Sequence, residues 1–300
     1  MRMLDGGLVL EGGGMRGLYT AGVLDFFMEK DIYFKDCVGV SAGASHATNF
    51  LSRQKGRSLN IMLQYLDTKQ YASPTAWFLT GNFFDKKFHT KILPNRLLPY
   101  DYKTAKKSPM HFYAVVTECE SGEPVYHQIK SLRQEVDWIW ASGSLPLLAK
   151  IVELDGRHYL DGGIADSIPV QFSETIGNEK NVVVLTRDIH YRKEQDKNFF
   201  VIQAKYHKYP AFVEAVRTRP QRYNETLEYI LEEEKAGRLF VIRPQKPVVI
   251  SRLEKDKEAL LALYKQGYED ASAQYEAMTA FFGKEVKDGE SISDTKQQND

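Results

Sequence analysis

The chain has 300 residues, 43% of them hydrophobic and 12% aromatic, enough apolar matter for a large buried core, which excludes a disordered, collagen-like or disulfide-stapled chain. Lys plus Arg number 40 and Asp plus Glu number 40, so no bulk charge gathers nucleic acid and a dedicated nucleic-acid binder is not expected. Cys37 and Cys119 are too few for a disulfide framework, lack zinc-ligand spacing and read as buried small hydrophobes.

Residues 7–10 make a compact strand candidate, ended by the glycine run Gly12-Gly13-Gly14. Residues 17–30 follow, with Leu18, Ala21, Val23, Leu24 and Phe27 spaced for one helical face. Residues 37–40 read as a second buried strand and 42–51 as a helix that starts directly after Ser41. Residues 112–117 form the next strand, paired with 124–127 across Ser121-Gly122, and 132–141 look helical. Residues 151–154 and 157–160 flank Asp155-Gly156, a strong hairpin signal, so Asp161 ends a strand. The apolar run 182–186 suits a strand covered on both faces.

After residue 190 the pattern turns mainly helical, with an added strand at 239–242 and one long amphipathic helix over 254–282, capped by Gly283. Alternating strands and helices predict an α/β fold with a mostly parallel sheet. The expected organisation is a core over 1–190, a helical extension over 191–283 packed on it, and a flexible polar tail over 284–300. With no basic leader and no run of about 18 apolar residues, the expected location is cytoplasmic.

Three segments carry chemistry. Gly39-Val40-Ser41-Ala42-Gly43 is a G-x-S-x-G between strand and helix, which sets the serine on a sharp turn with its hydroxyl exposed above the sheet. Gly12-Gly13-Gly14-Met15-Arg16-Gly17 also follows a strand and opens a helix; its amides suit either a pyrophosphate or an oxyanion. The dinucleotide reading needs a carboxylate at the end of the second strand, where Val40-Ser41 stands instead. Tyr159-Leu160-Asp161-Gly162-Gly163 offers a carboxylate at a strand end, suited to take a proton from a nearby hydroxyl.

In order and rough spacing, these three segments resemble the patatin-like phospholipase family. Ala141-Ser142-Gly143-Ser144-Leu145-Pro146 is similar to a further block of that family, and Asp166-Ser167-Ile168-Pro169-Val170 to its bacterial members. The likeness is clear over about residues 7–190. It implies a three-layer α/β/α fold and a serine lipid acyl hydrolase that needs neither cofactor nor metal. Ser41 would be the nucleophile and Asp161 its base, with the amides of Gly12, Gly13 and Gly14 as the oxyanion hole and Arg16 and Gly17 completing that loop.

Two other readings stay open. A Ser-Asp-His triad would use His190, which follows the strand at 182–186. A catalytically silent lipid-binding or scaffolding module would keep the fold without turnover.

The expected substrate is a lipid or other ester. Trp77, Phe78, Phe83, Phe84 and Phe88 either line an acyl entrance or belong to the core. Charge is unevenly spread: 1–190 holds 21 basic and 21 acidic residues, 191–253 holds 13 and 8, and 254–300 holds 6 and 11. The segment 191–220 interleaves basic residues with Phe199, Phe200, Tyr206, Tyr209 and Phe212, so it is a candidate for peripheral membrane contact.

Overall fold

The computed structural model describes residues 2–283; the polar stretch 284–300, read above as a tail, lies outside the described residues. In chain order the chain runs through β1 (Arg2–Leu10), α1 (Leu18–Glu29), β2 (Ile32–Val40), α2 (Ala42–Leu51), α3 (Arg57–Tyr65), α4 (Pro74–Thr80), a π-helix (Phe88–Leu97) and α5 (Tyr102–Lys106). Next come β3 (His111–Glu118), β4 (Pro124–Ile129), α6 (Val136–Ser142), β5 (Val152–Leu154), β6 (Arg157–Asp161), α7 (Val170–Thr175) and β7 (Asn181–Val184). The chain then continues through α8 (Phe199–Lys205), α9 (Pro210–Lys235), β8 (Leu239–Ile242), α10 (Lys257–Ala273) and α11 (Tyr275–Phe282).

One sheet joins these strands in the order β5-β6-β3-β2-β1-β7-β8, with β4 also paired to β3. The pairs β3–β2, β2–β1, β1–β7 and β7–β8 are parallel; those that β6 makes with β5 and β3, and β4 with β3, are antiparallel. Alternation along β1 builds the layers: Leu8 and Leu10 point into a core with Phe27, Phe50 and Leu263, while Val9 packs with Tyr223 and Ile230 of α9. Helices therefore cover both faces, which is the expected three-layer arrangement.

The predicted helix over 254–282 is two helices. The chain bends at Gln274, whose side-chain amide donates to the Asp270 carbonyl at 3.1 Å, competing with the backbone ladder. The helix predicted over 132–141 starts only at Val136, because the Glu135 carboxylate takes the amides of Lys130 and Ser131 and folds that stretch as a turn. Periodicity also missed α3, α4 and the π-helix; α3 and the π-helix line the cavity described below.

Candidate active site

Ser41 is the hinge between β2 and α2, with φ 53° and ψ −117°, a left-handed conformation that costs a non-glycine residue about 1–3 kcal/mol. Its neighbours make the turn feasible. A Cβ on Gly39 would sit 2.8 Å from the Ala44 backbone, and one on Gly43 would sit 2.6 Å from the Leu10 carbonyl, so strand and helix approach closer than any side chain permits. Gly17 lets the start of α1 press on Ala42 in the same way. Val40 is buried in the strand below, and the Ser41 N–H donates to Ser142 Oγ at 2.8 Å.

The hydroxyl of Ser41 donates to Asp161 Oδ2 at 2.7 Å. Asp161 arrives by an unexpected route: β6 runs antiparallel to β3, entering from beyond the carboxyl edge and stopping opposite Val116, level with the end of β2. Three bonds then fix the carboxylate and its turn. Gly163 N–H donates to Oδ1 at 2.8 Å, the Thr117 hydroxyl donates to the Asp161 carbonyl at 2.8 Å, and Ala165 N–H donates back to that hydroxyl at 3.1 Å. Gly162 is forced by contact, since a Cβ there would lie 2.1 Å from the Val115 carbonyl. Asp161 is 2% exposed, and burial pushes its carboxyl above the usual aspartate value, opposed by the Arg219 charge and the Ser41 hydrogen bond.

The glycine loop lies against the serine: a Cβ on Gly12 would come within 3.2 Å of Ser41 Cβ. Its amides are not equivalent. Gly12 N–H donates to the Ser167 carbonyl at 3.4 Å, Met15 N–H to Arg252 at 3.2 Å and Arg16 N–H to Gly13 at 3.3 Å. Among the described residues, only the N–H groups of Gly13 and Gly14 in the triplet remain without an acceptor, so the loop's donors narrow from three glycines to two. Arg16 is 7% exposed and reaches the Ile250 carbonyl, tying the loop to the segment before α10.

Ser41 opens onto a cavity of about 300 Å³ with a largely apolar wall that includes Met62, Tyr71, Phe84, Leu93 and Trp140. Two histidines line it without bringing charge. Burial lowers His46 to about 4, and His89 is lowered for the same reason, so both are neutral at pH 7. The aromatic segment is divided between the two roles considered for it: Phe84 lines the cavity, Phe88 is buried, and Trp77 and Phe78 face outward.

His190 is exposed on a turn after β7, where its amide donates to Asp188, and it makes no contact with Asp161 or Ser41. Cys37 and Cys119 are both buried, and burial pushes the Cys119 thiol up to about 12. Glu11, Ser142 and Thr117 were not singled out as site residues; each is a polar residue at a strand or helix end, a signal too common in sequence to stand out.

No described helix is long and apolar enough to cross a membrane. Residues 8–172 match the family described as patatin-like phospholipase, and residues 209–283 match a domain of unknown function, DUF6363. The chain is 30% identical over 267 residues to the uncharacterized protein YjjU of Escherichia coli (strain K12), covering 87% of this chain and 74% of that protein. Among solved structures, VipD of Legionella pneumophila aligns with a TM-score of 0.45 at 15% identity, over 91% of this chain and 67% of VipD. The type III effector ExoU aligns with a TM-score of 0.36 at 15% identity, over 91% of this chain and 53% of ExoU, so the chain spans about half of that protein. With the family match covering more than half of its length, this chain belongs to the patatin-like phospholipase family.

Proposed function

We propose that the protein is a serine hydrolase of lipid carboxylic esters that works through Ser41 and Asp161. The observation that carries this reading is the 2.7 Å hydrogen bond from a serine on a strained elbow to a buried carboxylate, at the edge of an apolar cavity. Asp161 takes the hydroxyl proton as Ser41 Oγ attacks the ester carbonyl, and the oxyanion is received by the free N–H groups of Gly13 and Gly14. Asp161 then returns the proton to the departing alcohol, leaving an acyl-enzyme. Water, deprotonated by the same carboxylate, attacks the acyl carbon; the bond to Ser41 Oγ breaks, the acid departs and Asp161 returns the proton to Ser41. Family membership supports the ester-hydrolase class, and the largely apolar cavity wall supports an acyl chain as its occupant.

The surface beside the cavity supports action on aggregated lipid. The Trp77 indole of α4 donates to the Leu147 carbonyl at 3.0 Å, and the Leu147 N–H donates to the Tyr206 hydroxyl at the end of α8 at 3.2 Å. Two helices are thus pinned to one residue, and both carry bare apolar side chains: Phe78 is 87% exposed and Phe200 80%. Within 191–220 the other aromatics are turned inward, with Tyr206 and Phe212 buried, so contact there falls to Phe200 and Val201 among the apolar side chains, with the exposed Lys205 and Lys208 nearby in sequence.

Labelling with a fluorophosphonate tests the reading. The folded wild-type chain is expected to be labelled at Ser41 and to cleave acyl esters, with both lost in Ser41→Ala; absence of labelling in folded protein leaves a silent binding module instead.

A further inference from the structure

Beside the reacting pair stands a group of cations whose hydrogen-bond donors the ester chemistry does not engage. Arg16 stands in the glycine loop, Lys193 in the segment between β7 and α8, Arg219 on α9, and Arg252 in the turn before α10. Arg252 lines the same cavity as Ser41 and Gly14, and its carbonyl accepts the Met15 amide, so this residue is built into the loop. Arg219 approaches from the Asp161 side: a Cβ on Gly163 would be 3.2 Å from its Nη2 and 3.1 Å from Asp161 Oδ1. Lys193 Nζ stands 4.0 Å from the centroid of the Tyr223 ring, and its backbone is clamped to α9 by two hydrogen bonds with the Asn224 side chain, at 2.8 and 3.1 Å.

The protein answers this charge poorly. Among the described residues, neither the Arg219 guanidinium nor Lys193 Nζ donates a hydrogen bond, and Arg252 has only Asp196, at 4.0 Å. Arg16 makes a single 3.4 Å bond, and the buried Nε atoms of both Arg16 and Arg219 have no partner. Glu11, the nearby buried carboxylate, is already engaged by Thr186 and by the Tyr223 hydroxyl at 2.7 Å. Burial and mutual repulsion lower Arg16 and Arg219 to about 10, even though Glu11 acts in the opposite sense on Arg16 and Asp161 on Arg219. A buried donor without an acceptor is destabilising, more so when it is charged, so several together are retained at a loss unless an anion completes them.

We propose that Arg16, Lys193, Arg219 and Arg252 form a phosphate-binding site that holds the phosphodiester of a lipid headgroup while the acyl chain occupies the apolar cavity. Guanidinium forks match phosphate oxygens in pairs, and Lys193 adds a point charge. Arg219 and Arg252 lie in the 209–283 segment, so this domain of unknown function would contribute headgroup selection to the core's chemistry. The choice of a lipid as the phosphate's carrier rests on the hydrolase reading above; phosphate binding itself does not.

The test therefore has a binding arm and a kinetic arm. In Ser41→Ala protein, which cannot turn over, calorimetric titration with glycerophosphate is expected to show one site per chain. Arg219→Gln, Arg252→Gln and the partly exposed Lys193→Met should each weaken it about 10-fold or more, with Arg252→Lys restoring part of the loss. In the active chain, the ratio of kcat/KM for a lysophospholipid to that for a monoacylglycerol with the same acyl chain should fall about 10-fold in Arg252→Gln, mainly through KM. Unchanged binding in all three variants, or no phosphate binding by folded protein, overturns the site. Inorganic phosphate binding as tightly as glycerophosphate, with the lysophospholipid ratio unmoved, overturns the headgroup assignment in favour of free phosphate. Phosphate binding that the variants abolish, in a chain that cleaves no ester, supports the site and defeats the hydrolase reading alone.

Discussion

The Ser41 hydroxyl is hydrogen-bonded directly to Asp161 at 2.7 Å, so its proton meets a carboxylate with no imidazole between them. Ser41→Ala and Asp161→Asn should each lower ester turnover by about 10³-fold or more, and the double variant should be little worse than either single one, because the two groups act in one step. Comparing kcat for the three variants checks this; additive losses would show that the residues act independently.

The same relationship separates the dyad from a triad. His190→Ala should leave kcat/KM within about two-fold of wild type, since its exposed side chain is remote from the pair. A loss comparable to that of Asp161→Asn would restore the histidine to the mechanism.

Burial raises the Asp161 carboxyl, and Arg219 is the largest opposing influence. Asp161 must be ionised to accept the serine proton, so activity is present above its folded pKa and lost as pH falls through it. The acid limb of kcat/KM should therefore lie above the ordinary aspartate value of 3.8. Arg219→Gln removes the opposing charge and should move that limb to higher pH; a shift to lower pH would contradict the assignment.

Phe78→Glu and Phe200→Glu should each reduce binding to anionic vesicles by about 10-fold, since exposed phenyl groups lose burial worth about 1.5–3 kcal/mol in the interface. Turnover of a water-soluble short-chain ester should persist in both. Vesicle sedimentation beside a soluble-ester assay distinguishes a membrane contact from damage to the site.

Two glycines that look alike in sequence should respond differently to alanine. At Gly156, φ is +77° and no atom lies within 4 Å of an added Cβ, so only backbone strain of about 1–2 kcal/mol is expected. At Gly162 the added carbon meets the Val115 carbonyl at 2.1 Å, and the loss should be about 3 kcal/mol or more, or outright failure to fold. Thermal unfolding of both variants measures the contrast.

The sequence by itself determined the parts whose chemistry is local. The strand-turn-helix at Ser41 was legible because the two glycines and the helix pattern of 42–51 lie within a few residues of the serine, and the Asp155-Gly156 turn marked the strand that ends at Asp161. Tertiary structure alone decided how these meet. Strand direction depends on pairing with distant partners, so only the register of β6 against β3 brings Asp161 to the end of β2. Whether an amide is free depends on carbonyls far along the chain, which is why Gly12 is occupied by Ser167 while Gly13 and Gly14 are not. The cationic cluster was the least legible feature. Its members are spread over more than 230 residues of sequence and follow no periodicity, and a lone arginine in a helix or turn reads as a solvated surface charge until folding buries it beside others.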